Sequence, residues 1–402
     1  MKEAKQNMLL YRVAQLASWF VSVFLFRRKI LRNEIKGKKG PFVIIANHQA
    51  ALDFTNLIGA TSRPMSFVVS SSFYNTLPVK GAMRRIGVIP KQQFQTNIHD
   101  LKRMKAVIEQ GRILVLYPAG LMCEDGLSTP LPTGTYQFLK WIGADVYVAR
   151  TSGTYFATPK WGKGVRPGRT YLDIYQLFSK EELETADMQT VKEMTDAALS
   201  FDAYREQEAL GIRYKGGFNI EGLENVLYQC PHCGEEYTMR VVGQRTICCE
   251  ACGFSHESDE YAFLHNSGSI GEELRYVSDW SRKIYEDLKA KIAQGLENHL
   301  SCTTAIHMID EKKNKFVEVG RGEVSLTDSG FSLQGSIAGN PIDEQIPIAT
   351  FCSLPFSPGR HFELQHGDVI YRCVPDDGRL VMKFINMVKI FYELNTAAHA
   401  RL

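Results

Sequence analysis

Residues 42–53, with the sequence FVIIANHQAALD, decide the fold of the N-terminal half of the chain. The apolar run at 42–46 predicts a buried β-strand, and His48 and Asp53 follow its carboxyl end. A five-residue step on a regular helix turns by about 500°, so these two side chains cannot share one helical face. They can meet only if His48 lies on the turn after the strand and Asp53 on the first turn of the next helix.

Two interpretations of this pair are open from the residues alone. In the first, the Asp53 carboxylate fixes the tautomer of the imidazole, whose other ring nitrogen takes a proton from an attacking hydroxyl. A neutral imidazole is suited to that work. In the second, Asn47 caps the following helix and His48 merely packs.

Strand and helix patterns alternate on both sides of this stretch. Residues 66–69 and 113–117 are predicted strands, and 97–109 is a predicted helix between them. Further predicted strands lie at 146–149 and 170–175, followed by a charged helix from about 179 to 210. This alternation predicts an α/β domain, which we place at residues 41–222.

The first 40 residues combine positive charge with an apolar segment. They contain ten Lys or Arg residues against two Glu, a local charge of +8, although the net charge of the whole chain is only +3. Residues 8–26 are apolar and rich in Trp, Phe and Leu, and their polar side chains fall on one face of a helix. These polar residues are Arg12, Gln15, Ser18 and Ser22. The combination predicts that residues 1–40 form a basic, amphipathic, membrane-associating region with a helix in the lipid interface.

Two other interpretations of the apolar segment remain. One is a helix docked on its own protein. The other is a cleaved signal peptide, which the residues disfavour because Arg27, Arg28 and Lys29 stand where a small-residue cleavage site belongs.

The His48 stretch resembles the first motif, His-x4-Asp, of the glycerolipid acyltransferase family, which includes 1-acylglycerol-3-phosphate acyltransferases. The resemblance implies that His48 is the base and that an acyl group passes from acyl-CoA or acyl-carrier protein to a lipid hydroxyl. Residues 78–91 are similar to the second motif, where a basic residue binds the phosphate of the acceptor. Lys91 takes that position, while Arg84 and Arg85 either add charge or form a solvated helix end.

Residues 117–122, YPAGLM, resemble the third motif, Phe-Pro-Glu-Gly-Thr-Arg. Pro118 and Gly120 match after Tyr117, and the resemblance implies a turn that presents backbone donors near the reacting carbonyl. However, Ala119 and Met122 replace the acceptor-binding Glu and the Arg.

The loop after this motif offers Glu124 and Asp125 as substitutes for the missing acceptor contact. Further on, residues 146–148 stand where the fourth motif has a proline, and 153–161 resemble a segment of a bacterial branch of the family. The resemblance covers roughly residues 10–215.

Two C-x2-C pairs lie fifteen residues apart in the middle of the chain, and each pair is followed by a glycine. Four thiolates in this spacing predict a structural Zn²⁺ site with no open coordination position, in a zinc ribbon at residues 223–262. The predicted ligands are Cys230, Cys233, Cys249 and Cys252. Cys248 is an adjacent competitor, and His232 is expected to face solvent.

The C-terminal part has a different pattern of apolar and turn residues. Apolar residues at spacings of three and four, from Leu274 to Leu296, predict a helical connector at 263–300. After it, short apolar runs alternate with Gly, Asp, Asn and Pro turns and precede a closing helix. The predicted strands lie at 304–309, 316–319, 323–327, 331–334, 345–351, 361–365 and 369–373. We predict a β-rich domain at 301–402, similar to the pleckstrin-homology-like fold by topology alone.

The residues and the resemblance together predict a peripheral acyltransferase on the cytoplasmic face of the cell membrane. Its expected partners are membrane lipids and an acyl donor, and its acceptor is a lysophospholipid or related glycerolipid. The alternative is a catalytically weak or inactive lipid-binding scaffold, motivated by Ala119, Met122 and the β-rich tail. No nucleic-acid partner is expected, because the many carboxylates around the cysteine pairs would repel phosphates.

Overall fold

The computed structural model describes residues 6–94, 97–267, 270–348 and 352–399. The chain divides into two compact units, Met1–Lys160 with Gly164–Arg213 and Trp161–Lys163 with Tyr214–Leu402. Part of the predicted N-terminal charge, on Lys2, Glu3 and Lys5, lies outside the described residues, as does the end of the strand predicted at 345–351.

Among the described residues, the first unit contains a seven-stranded sheet in the order β1-β7-β6-β2-β5-β3-β4. The strands are β1 (Lys29–Asn33), β2 (Phe42–Ala46), β3 (Met65–Ser70), β4 (Ile89–Lys91), β5 (Ile113–Leu116), β6 (Asp145–Ser152) and β7 (Tyr171–Phe178). Neighbouring strands are parallel except β6 and β7. The central strand β2 is buried along its whole length, as expected where helices cover both faces of a parallel sheet.

Helices surround this sheet. They are α1 (Met8–Phe20), extended by a π-helical turn (Val21–Leu25), α2 (Asp53–Ile58), α3 (Ser71–Thr76), α4 (Lys80–Arg85), α5 (Ile98–Glu109), α6 (Gly134–Ile142), α7 (Thr154–Ala157), α8 (Lys180–Thr185), α9 (Met188–Leu199) and α10 (Ala203–Leu210). The predicted alternation of strands and helices is confirmed, and α5 begins one residue after Asn97, whose side chain caps it.

Two features of the first unit differ from the sequence prediction. The predicted helix at 179–210 is three helices, because Asp187 and Asp202 each cap a new one with their side chains. Strands β1 and β4 were not predicted, since β1 is a mostly exposed edge strand and β4 has only three residues, one of them proline. The pairing of β1 with β7 makes the N-terminal region part of this sheet.

Helix α1 presents its polar face to its own domain and its apolar face outward. Gln15 Nε2 donates to the carbonyl oxygens of Ile58 (3.2 Å) and Thr61 (2.6 Å), and Arg12 donates to that of Ser62 (2.8 Å). The exposed apolar face comprises Leu9, Val13, Leu16, Phe20 and Phe24. By length and composition alone, Met8–Leu25 could cross a membrane. The helix is therefore docked through its polar residues and keeps an apolar surface free.

The second unit begins with a short 3-10 helix (Leu223–Asn225) and a four-stranded antiparallel sheet in the order β11-β10-β9-β8. The strands are β8 (Met239–Val242), β9 (Thr246–Cys249), β10 (Ser255–Ser258) and β11 (Leu264–Asn266). This sheet runs past residue 262, the predicted end of the ribbon. Helix α11 (Val277–Ala293) follows, so the predicted apolar stripe begins and ends outside the helix at Leu274 and Leu296.

The rest of the described second unit is a seven-stranded antiparallel sheet followed by a helix. The strand order of the sheet is β15-β14-β13-β12-β18-β17-β16. Its elements are β12 (Leu300–Asp310), β13 (Lys315–Thr327), β14 (Gly330–Ile337), β15 (Asn340–Pro347), β16 (Phe356–Ser357), β17 (His361–His366), β18 (Val369–Pro375) and the terminal helix α12 (Leu380–His399). A β-rich region with a closing helix is confirmed. The pleckstrin-homology-like assignment stays a prediction.

The strands predicted at 316–319 and 323–327 are one strand, β13. The intervening Gly320 and Gly322 do not mark a turn. A Cβ atom at Gly320 would lie 1.8 Å from the carbonyl oxygen of Ser336 on β14, so the glycine permits a close approach of two paired strands.

Candidate active site

His48 and Asp53 lie where the sequence requires them to meet. His48 follows β2 on an irregular turn, and Asp53 is the first residue of α2. His48 Nδ1 lies 3.0 Å from Asp53 Oδ2. The same oxygen accepts the backbone N–H groups of Gln49 (2.8 Å) and Ala50 (2.9 Å), so the carboxylate is fixed from three directions.

Exposure distinguishes the two members of this dyad. The Asp53 side chain is 1% exposed, whereas that of His48 is 21% exposed. A buried carboxylate on Nδ1 holds the imidazole in one orientation and leaves Nε2 as the nitrogen that can accept a proton from a hydroxyl. The arrangement is chemically able to perform general base catalysis.

Two amide side chains that flank His48 fix the turn around it. Asn47 was considered only as the cap of the following helix, but the N-cap residue of α2 is Leu52. Asn47 exchanges hydrogen bonds with Thr151 on β6: its Oδ1 accepts from the Thr151 N–H and its Nδ2 donates to the Thr151 carbonyl, both at 2.8 Å. Gln49 is fully buried, and its Nε2 donates to Glu206 (3.2 Å), which also pairs with Arg150 (2.7 Å). The available signal was two amide residues directly flanking the histidine after a buried strand.

Tyr117 forms one wall of the dyad. It follows β5, and its ring centroid lies 4.5 Å from that of His48. Burial, with the charge of Asp53 as a smaller contribution, raises the pKa of Tyr117 well above its ordinary value. The phenol therefore stays neutral and provides an aromatic surface rather than a base.

The turn predicted around Pro118 and Gly120 is present. Gly120 adopts a φ of +70°, which favours glycine, and its N–H donates to the Tyr117 carbonyl at 2.9 Å. Its carbonyl accepts from the side chain of Gln93. Because the Gly120 N–H is used within the turn, it is not one of the backbone donors available to a reacting carbonyl, and the presence of such donors at this turn stays a prediction.

The loop after the turn returns to the dyad. The Cys123 N–H donates to the His48 carbonyl at 3.2 Å, which joins this loop to the β2–α2 turn. Ala119 and Glu124 are buried, and the Met122 carbonyl accepts from Lys160. Glu124 is therefore not an open carboxylate in place of the motif's Glu. Asp125 is half-buried, and its Oδ1 accepts the Leu127 N–H at 3.0 Å, so its role as a substitute stays a prediction.

The predicted phosphate-binding residues lie at the β4 edge of the sheet. Lys91 ends β4, while Arg84 and Arg85 end α4 with exposed side chains. Burial lowers the pKa of Lys91, and its Nζ donates to the Gln92 carbonyl at 2.9 Å. β4 lies three strands from β2 in the sheet order, about 14 Å at the usual strand spacing. Strands β2 and β4 run in the same direction, because the intervening pairs are parallel, so their carboxyl ends lie along the same side of the sheet.

The cysteine cluster belongs to the second unit. The sulfur atoms of Cys230, Cys233, Cys249 and Cys252 all lie within 4.8 Å of one another. Two of the separations, Cys230 to Cys252 and Cys233 to Cys249, are 3.7 and 3.8 Å. A tetrahedron with Zn–S bonds of about 2.3 Å has sulfur–sulfur edges of about 3.8 Å. The four thiols can therefore hold a metal ion, and their geometry fits zinc.

The glycines after the two cysteine pairs permit tight turns. Gly234 and Gly253 adopt φ values of +78° and +77°, and each donates its N–H to the carbonyl of the first cysteine of its pair, at 3.0 Å. His232 is exposed, as expected. Cys248 precedes Cys249 on β9, so its side chain points to the opposite face of the strand.

A family model matches part of the chain. Residues 27–146 match the model of the family described as acyltransferase, and this range includes His48, Asp53, Lys91 and Tyr117. The segment is thus an acyltransferase domain, which confirms the resemblance to the glycerolipid acyltransferases. No curated protein matches the chain.

Two solved structures are similar to parts of the chain. One is the 1-acyl-sn-glycerophosphate (LPA) acyltransferase PlsC from Thermotoga maritima, at 18% identity, with 51% of this chain and 79% of that chain covered and a TM-score of 0.41. The other is the Ran binding domain of the nuclear complex component Nup2 from Ashbya gossypii. It has 11% identity, covers 24% of this chain and 99% of that chain, and has a TM-score of 0.19.

Proposed function

We propose that this protein transfers a fatty acyl group from a thioester, acyl-CoA or acyl-carrier protein, to a hydroxyl of a lysophospholipid or related glycerolipid at a membrane surface. The observation that carries the proposal is the hydrogen-bonded pair of a partly exposed His48 and a buried Asp53, inside a segment that matches the acyltransferase family.

The dyad acts as a general base in this proposal. Asp53 orients the imidazole through Nδ1 and stabilises the positive charge that forms on it. Nε2 removes the proton from the acceptor hydroxyl as its oxygen attacks the thioester carbonyl. The tetrahedral intermediate then expels the thiolate of CoA or of the carrier protein, which takes up the proton held on Nε2. Tyr117 limits the movement of the imidazole by lying against its face.

The basic residues on and beside strand β4 bind the acceptor in this proposal. Lys91, with Arg84 and Arg85 on α4, supplies positive charge that suits the phosphate of a lysophospholipid. A phosphorylated acceptor is therefore favoured over a neutral one.

The apolar face of α1 supports a peripheral membrane location. Its exposed Leu, Val and Phe side chains suit insertion into the lipid interface, and Arg27, Lys29 and Lys36 add positive charge that anionic headgroups attract. A protein of this kind reaches acceptors that stay in the bilayer. The proposed side of the membrane is the cytoplasmic one.

The proposed metal is a structural Zn²⁺ held by the four cysteines of the second unit. With four thiolates it would have no open position for substrate, so it would stabilise the fold and take no part in acyl transfer. Cys230, Cys233, Cys249 and Cys252 would be its ligands.

A second candidate function is a lipid-binding scaffold with little or no catalysis. The replacement of the motif's Glu and Arg by Ala119 and Met122 favours it, since Ala119 lacks a carboxylate and Glu124 in the following loop is buried.

The two functions are separated by incubating the purified full chain with vesicles that contain a panel of lysophospholipids, together with acyl-CoA or acyl-carrier protein. An acyltransferase releases free thiol only when a lysolipid is present, and mass spectrometry detects the matching diacyl product. Vesicle binding with no thiol release for any acceptor would refute the enzymatic proposal and support the scaffold.

A further inference from the structure

Helix α2 carries the orienting carboxylate at one end and is too short to be stable alone. It has six residues, of which all but Phe54 are buried, and Asp53 is the first. Isolated helices shorter than about 12 residues are marginal in water, so tertiary contacts must hold α2 in place. A shift of α2 would move Asp53 relative to His48.

Side chains from the N-terminal region bind the carbonyl groups at the other end of α2. Arg28 Nη1 donates to the Asn56 carbonyl (2.5 Å) and Nη2 to the Gly59 carbonyl (3.4 Å). Gln15 of α1 donates to the carbonyls of Ile58 (3.2 Å) and Thr61 (2.6 Å). The last carbonyls of a helix lack partners within it, and a cation beside them also interacts favourably with the helix dipole.

The lack of a side chain at Gly59 leaves room for the guanidinium of Arg28. A Cβ atom at Gly59 would lie 2.9 Å from Arg28 Nη1, so a side chain there would displace the guanidinium. Burial lowers the pKa of Arg28, consistent with a guanidinium that lies against the protein and out of solvent. Arg169 is exposed in the same unit and provides a matched control.

We infer that Arg28 and Gln15 are positioning residues that hold the C-terminal end of α2 and thereby keep Asp53 within hydrogen-bonding distance of His48. The inference rests on the proposed function for its catalytic consequence. Because Gln15 belongs to α1, the helix with the exposed apolar face is also the one that steadies the dyad.

The activity test compares Arg28→Gln with Arg169→Gln, which removes the same charge from an exposed site. A misplacement of about 1 Å can cost about 100-fold in rate, so kcat of Arg28→Gln should fall by about 10- to 100-fold with KM for the acyl donor unchanged. Arg28→Lys keeps one charged donor and should recover part of the loss. Gly59→Ala, which displaces the guanidinium while leaving it present, should lower kcat in the same way.

A second readout does not depend on activity. The N–H groups of Gln49 and Ala50 donate to Asp53, so their hydrogen exchange should accelerate in Arg28→Gln and Gly59→Ala, while exchange in strand β5 stays at the wild-type rate. Arg169→Gln should leave all of these amides unchanged.

The two readouts distinguish failure of the proposed function from failure of the positioning role. If the wild type transfers no acyl group, the proposed function fails, and the exchange data still decide the positioning role. Unchanged exchange at Gln49 and Ala50 in both variants, or equal acceleration at β5, would overturn the inference. So would wild-type kcat in Arg28→Gln of an active enzyme.

Discussion

Replacing part of the apolar face of α1 with serine should detach the protein from lipid vesicles. Val13, Leu16 and Phe20 are 59%, 66% and 60% exposed. Full burial of such a side chain contributes about 1.5–3 kcal/mol, so transfer of the exposed part to lipid contributes about 1–2 kcal/mol for each. The triple substitution should therefore weaken partitioning by about 3–5 kcal/mol, or about 100- to 5000-fold.

Sedimentation with vesicles of mixed neutral and anionic lipids measures this partitioning directly. The substituted side chains face away from the domain, so the thermal unfolding temperature should change little. A matched control replaces Ile98, Met188 and Met194, which are exposed apolar residues on α5 and α9, with serine. If the α1 triple variant sediments like the wild type, or if the control detaches equally, α1 is not the membrane-binding surface.

Three further predictions concern the dyad, the acceptor and the metal. Asp53→Asn should lower kcat by about 10³- to 10⁴-fold, as loss of the carboxylate does in Ser-His-Asp triads, and a turnover within tenfold of the wild type in a steady-state thiol-release assay would contradict it. Burial lowers the pKa of Lys91, so its charge is lost at a lower pH than for an ordinary lysine, and the acceptor KM should rise with pH through that lowered pKa. Lys91→Arg should move the rise to higher pH, and a KM that does not depend on pH would exclude Lys91 from phosphate binding. Cys252→Ser should abolish the bound zinc measured by elemental analysis and lower the unfolding temperature. The control Cys248→Ser should retain one equivalent of metal. Zinc retained in Cys252→Ser would contradict the ligand set.

The sequence predicted the parts of the fold that local patterns determine. The apolar strands at the centre of the first sheet were found because each is buried on both faces, and α5 because its cap and its periodicity agree. The geometry of His48 and Asp53 could be argued from a five-residue spacing, since only a turn followed by a helix start brings them together.

Other features depend on contacts distant in sequence, which no local pattern records. Gln49 meets Glu206 across 157 positions of the chain, and Arg28 meets the end of α2 through Asn56. Gly320 looks like a turn residue in the sequence, yet it lies within a strand because the partner backbone approaches too closely for a side chain.

The sequence predicted that α1 lies in the lipid interface with an apolar face. Docking of the same helix on its own protein was treated as a competing interpretation. The structure combines the two, because the polar side chains of α1 bind carbonyl groups at the end of α2 while its apolar side chains remain exposed. A sequence pattern gives the two faces of a helix and does not identify which one meets the domain.

The most direct test of the catalytic claim is the turnover of His48→Ala with a lysophospholipid acceptor and an acyl thioester, beside the exposed-histidine control His99→Ala. We expect loss of lysolipid-dependent thiol release in His48→Ala, with vesicle binding, zinc content and unfolding temperature retained, and wild-type turnover in His99→Ala. Turnover at the wild-type rate in a folded His48→Ala protein would contradict it.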